Sequence, residues 1–82
     1  MKILIEIFQP HYDPLLQHVD EDSREYEVLK NAVLLRYPDR GAPTLLLVCE
    51  HDEAKSLLDH AQHFCPEAVP QIEEAITMHR LP

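Results

Sequence analysis

Asp22-Ser-Arg-Glu-Tyr-Glu-Val-Leu-Lys-Asn-Ala-Val-Leu-Leu-Arg-Tyr-Pro-Asp-Arg-Gly-Ala-Pro-Thr-Leu-Leu-Leu-Val-Cys49 is the stretch whose reading decides the fold. Its first half consists mostly of good helix formers. Asp22 and Glu25 have capping-box spacing, and Tyr26, Leu29, Val33 and Tyr37 recur at helical intervals up to Pro38. This pattern predicts a helix over residues 22–37. Val28 and Leu35 fall on its opposite side, so the helix would be apolar on two faces and would need burial or a second contact surface. The competing reading pairs residues 33–37 with residues 44–49 as a β-hairpin, because Pro38-Asp-Arg-Gly41 is good turn chemistry. The helix is preferred because helix formers dominate residues 24–36.

Outward from this stretch, residues 2–8 are rich in β-branched and aromatic types and stop before Pro10, which predicts a strand with Ile3, Ile5 and Ile7 on one face. Residues 9–21, with Pro10 and Pro14 as breakers, read as irregular, with at most one helical turn through Leu15, Leu16 and Val19. Residues 44–49 are apolar on both faces, as strands covered from both sides are in parallel sheets. Residues 52–65 give the clearest helix, with Ala54, Leu57, Leu58, Ala61 and Phe64 on one stripe and Asp52 placed to cap it. After Pro66, Pro70 opens a final helix with Ile72, Ala75, Ile76 and His79 inward. The expected architecture is a single small α/β domain over residues 1–82, in the order β-α-β-α-α, with a minimal parallel sheet. Two strands are too few to be stable alone, so a third strand within residues 24–37 or a second chain would complete the sheet, as in a homodimer.

The chain has 82 residues, 45% of them hydrophobic, which suffices for one modest core. Fifteen carboxylates against seven Lys and Arg give a net charge of −8. The cations (Lys2, Arg24, Lys30, Arg36, Arg40, Lys55 and Arg80) are scattered. Binders of phosphate backbones concentrate cations, so neither nucleic acid nor an anionic membrane is an expected partner. The run from Ile3 to Phe8 is too short for a signal-peptide core or a membrane span. Cys49 and Cys65 sit in apolar surroundings and read as buried free thiols of a reducing, cytoplasmic compartment.

Six histidines make metal or acid–base chemistry the first thing to seek. His60-x-x-His63-x-Cys65 has zinc-ligand types, but on a helix Cys65 falls about 140° from His60, on the buried side. A second set depends on topology. If the two strands are parallel, His11 and Asp13 after the first lie at the same sheet edge as His51 and Asp52 after the second. These four residues could bind a divalent metal or form an acid–base pair. The only glycine is Gly41, which excludes a phosphate-binding glycine loop and a Gly-x-Ser-x-Gly nucleophile elbow; Ser23 and Ser56 are the only serines.

Ala42-Pro-Thr-Leu-Leu-Leu-Val-Cys-Glu-His-Asp52, with Pro66 and then His79-Arg-Leu-Pro82, resembles the closing segment of α/β-hydrolases, over less than half of the chain. That resemblance implies catalytic roles for Asp52 and His79. Cys49 and Met78 stand where the family has glycine, and its nucleophile is missing, so the resemblance amounts to a shared α/β half-motif. A Pro-Thr-aliphatic strand before an acidic turn is similar also to response-regulator-like domains. The expected function is a small acidic cytoplasmic interaction module, dimerising or docking on a protein partner, with no catalytic activity and no cofactor of its own. Tyr26, Val28, Leu35 and Tyr37 are its expected contact residues. The alternative is a divalent-metal or small enzyme site on His11, Asp13, His51 and Asp52.

Overall fold

A computed structural model describes residues 2–39 and 41–78. The elements are β1 (Ile3–Phe8), α1 (Gln9–Gln17), α2 (Arg24–Lys30), β2 (Val33–Leu35), β3 (Thr44–Cys49), α3 (His51–Phe64), a single 3-10 turn (Pro66–Ala68) and α4 (Val69–Met78). The three strands form one antiparallel sheet in the order β1-β3-β2. The expected parallel sheet and β-α-β-α-α order are therefore corrected: the sheet is antiparallel, and a short strand precedes β3. The third strand lies within the chain, in the region where a hidden one was allowed for.

Most of the difference arises in residues 22–37. The helix there is α2 alone, seven residues long. Ser23, not Asp22, caps it by accepting from the Tyr26 amide at 3.2 Å. It stops at Asn31, whose side-chain amide donates to the Glu27 carbonyl. Val33 to Leu35 then pair with β3, Val33 opposite Leu46 and Leu35 opposite Thr44. The hairpin reading is the correct one for this part, and Gly41 in the turn takes φ 79°, a conformation that glycine adopts without strain. The doubly apolar helix thus does not exist. Residues of one helical stripe are divided between a helix and a strand.

Residues 9–17 form a helix and not an irregular loop. Pro10 lies in its first turn, where a missing N–H costs nothing. Pro14 lies inside, and tertiary contacts offset it: Leu15 is fully buried, and the Tyr12 hydroxyl donates to the Leu29 carbonyl at 2.6 Å. At the start of α3 the cap is Glu50, whose amide donates to the Glu53 carboxylate at 2.8 Å; Asp52 does not cap it. Final helix α4 starts at Val69, with Ile72 and Ile76 buried; His79 lies outside the described residues.

The core is one cluster on a single face of the sheet. Ile3, Ile5 and Ile7 of β1 and Leu45, Leu47 and Cys49 of β3 meet Leu15, Val28, Leu29, Ala54, Leu57, Ala61, Ile72 and Ile76 from the four helices. With three strands and helices on one face, the sheet is large enough to be stable without a second chain.

Candidate functional site

The other face of the sheet is open. Register places Leu4, Glu6 and Phe8 of β1 beside Val48, Leu46 and Thr44 of β3, with Val33 and Leu35 of β2 beyond. Leu4 is 53% exposed, Val33 52% and Val48 46%, whereas on the opposite face the β1 and β3 residues Ile3, Ile5, Ile7, Leu45, Leu47 and Cys49 are buried and only Leu34 of the short β2 is exposed. Leu46 and Leu35 are half-buried. Among the strand residues of this face the only formal charge is Glu6, whose Oε1 accepts from the Tyr37 hydroxyl at 3.2 Å. Thr44 is buried, and its hydroxyl has no hydrogen-bond partner among the described residues. The apolar character of β3 on both faces thus has a different cause from the expected one. One face is core, and the other is only partly covered.

The four residues of the expected metal or acid–base site are not brought together. Ile3 pairs with Cys49 and Phe8 with Thr44, so the segment after β1 and the segment after β3 lie at opposite ends of the sheet. A six-residue strand separates them by roughly 17 Å at its rise of about 3.4 Å per residue. His11 contacts Gln71 through Nδ1 at 3.3 Å and meets the Phe8 ring edge-on. Asp13 is exposed on α1. His51 opens α3, and Asp52 accepts from Arg24 at 2.8 Å, an ion pair that ties α2 to α3 and holds the Asp52 carboxyl below its usual range. Among the described residues no group of three or more His, Cys, Asp or Glu is arranged to hold a metal ion.

His60, His63 and Cys65 also separate. Cys65 is in the core, and His63 Nδ1 donates to the Asp59 carbonyl at the surface. His60 Nε2 donates to the Leu15 carbonyl at 2.9 Å, joining α3 to α1. The centre of this region is Phe64. His18 stacks on its ring at 5.0 Å and His60 lies tilted at 4.8 Å. Phe64 thus covers the end of α1 and is not part of the inner stripe.

Both thiols are free and buried. Burial, and then the Glu53 carboxylate, push the Cys49 thiol up from its ordinary 9.0 to about 11. A raised acid stabilises the fold fully below its unfolded value and ceases to do so as pH rises through its folded value. Stability is therefore expected to hold up to about pH 9 and to fall between there and about pH 11. Chemical denaturation across that range checks this, and Cys49→Ala should flatten the decline.

Of the four expected contact residues, Val28 is buried in the core and is unavailable for contact. Tyr26 is half-buried on α2, under the Lys30 ammonium at 5.8 Å. Leu35 and Tyr37 border the open face. Leu4, Val33 and Val48 do not stand out in the sequence, because an apolar strand position looks the same whether it is covered or bare. The α/β-hydrolase likeness gains nothing from the structure, since β3 is antiparallel to both neighbours and Asp52 is engaged with Arg24. Its other element, His79, lies outside the described residues. Comparison with known protein families, with curated proteins and with solved structures found no match. No helix of the described residues is long and apolar enough to cross a membrane.

Proposed function

We propose that this chain is a protein-docking module, without catalytic activity of its own, whose contact surface is the open face of the sheet. The observation that supports it is the set of half-exposed aliphatic side chains Leu4, Val33 and Val48 on one contiguous face. Exposed apolar patches on small soluble domains mark contact surfaces. A protein partner is favoured over a homodimer for two reasons. The sheet does not need a second chain to be stable, and two copies would each bring a net charge of −8 to the contact.

Site-specific photo-crosslinking tests this. A benzophenone side chain at Val48 in the full chain, expressed in its cell of origin, should give a discrete adduct, and Val33→Lys should abolish it. The same probe at Lys55, exposed on α3, should give none. Equal labelling from both positions, or none from Val48, would contradict the reading. An adduct of twice the chain mass would make the partner a second copy.

A further inference from the structure

The open face is not open along its whole length. On β3, exposure falls from Val48 at 46% through half-buried Leu46 to Thr44 at 2%. The neighbouring strands follow the same gradient. Leu4 is exposed and Phe8 half-buried on β1, and Val33 is exposed and Leu35 half-buried on β2. The helices pack on the opposite side of the sheet, so the cover at the Thr44 end has another origin.

Tyr37 supplies it. Val33 lies beside Leu46 and Leu35 beside Thr44, so the chain leaves β2 past the Thr44 end of the face. Tyr37 follows two residues later, yet its hydroxyl reaches Glu6, which lies beside Leu46 on β1 at the far edge of the sheet. A side chain that starts past Thr44 on the β2 side and ends past it on the β1 side crosses above Thr44 on the central strand. Phe8 and Leu35 flank the same residue in the ladder. The Thr44 hydroxyl is thereby closed off from water, and it has no hydrogen-bond partner among the described residues. An unpaired buried hydroxyl is destabilising, and a newly arriving hydrogen-bonding group would relieve it. At 3.2 Å the Tyr37–Glu6 bond is longer than O–H···O bonds usually are, and it lies in solvent, where water competes for both groups.

We propose that Tyr37 is a strap over the Thr44 end of the docking face, closed in the free chain and swung aside when the partner docks, so that a polar group of the partner meets the Thr44 hydroxyl; this inference rests on the docking reading. Opening the strap breaks no ladder hydrogen bond, because β2 ends at Leu35 and Tyr37 moves by rotation of its own side chain. The closed strap lowers apparent affinity by holding part of the population in a form that the partner cannot fully engage.

The strap is tested first in the isolated chain with a soluble gadolinium chelate. The Thr44 methyl should be protected as those of Leu47 are, and Tyr37→Ala, which removes every contact of that side chain, should raise its relaxation toward that of Val48. A Thr44 methyl that stays protected in Tyr37→Ala would mean that Phe8 and Leu35 bury it without Tyr37, and would overturn the proposal. Thr44→Val keeps the β-branched shape and should be at least as stable as the parent; a marked loss would show a hydroxyl already paired, which also overturns it. Crosslinking from Val48 then reads the docked state. Tyr37→Ala should increase the adduct, and Thr44→Val should reduce it about twofold to tenfold while Thr44→Ser retains it. A smaller adduct from Tyr37→Ala would make that side chain a contact of the partner, and an unchanged one from Thr44→Val would deny the partner's polar group. Either result overturns the proposal and leaves the docking reading standing. No adduct from Val48 in the parent or any variant would contradict the docking reading and the displacement together, while the relaxation measurement decides the closed strap separately.

Discussion

Leu47→Ala is expected to destabilise the domain by about 3 kcal/mol and to lower its Tm by about 12–24 °C, whereas Val48→Thr next to it should change stability by less than about 0.5 kcal/mol. The two residues are neighbours on the central strand and differ in which face they occupy. Leu47 pairs with Ile5, and both are completely buried beneath the helices. Truncating it removes apolar burial and leaves a cavity that close-packed neighbours cannot fill. Val48 pairs with Leu4 on the open face, and nearly half its surface is already in water. A threonine there keeps the β-branched shape that suits a strand and exposes its hydroxyl to solvent. Thermal unfolding of the two variants measures the contrast. Equal large losses would mean that the second face is covered too.

Ala61→Leu should cost about 1–3 kcal/mol, a fall in Tm of about 4–24 °C, while Gln62→Leu one position on stays within about 0.5 kcal/mol. Ala54, Leu57 and Ala61 are the buried residues of α3, and Ala61 has no exposed surface. Small residues at two of the three positions let the helix approach its neighbours closely. The larger side chain at Ala61 must push α3 away from the core or force strained rotamers. Gln62 is exposed, so a leucine there meets only solvent. Denaturant unfolding of both variants gives the comparison. A neutral Ala61→Leu would show a void where the structure has close packing.

The parts legible in the sequence were those whose own pattern matches their period. β1, with Ile3, Ile5 and Ile7 alternating, needed no neighbour to be recognised, and neither did α3 with its stripe from Ala54 to Ala61. β2 was hidden because three strand residues, Val33 to Leu35, follow a run of helix formers and share its helical spacing. Only pairing with Leu46 and Thr44, which no local window contains, makes them a strand. Helix α1 was hidden for a related reason. Pro10 looks like a breaker but occupies a first turn, and Pro14 is tolerated because Tyr12 and Leu15 are held by other elements.

The strand direction decided the site. His11, Asp13, His51 and Asp52 converge only if β1 and β3 are parallel, and strand composition does not encode direction. Hydropathy has no access to coverage either, because Leu47 and Val48 read alike although helices cover the first and water reaches the second. The open face is therefore a property of topology, and it emerges only once the helices gather on one side of the sheet.

Solvent paramagnetic relaxation of methyl groups in the isolated chain examines that arrangement directly. With a soluble gadolinium chelate, the methyls of Leu4, Val33 and Val48 should relax strongly, while those of Ile5, Ile7 and Leu47 should be protected. Protection of Leu4, Val33 and Val48 comparable to that of Leu47 would mean that the face is already covered, and would contradict a docking surface there.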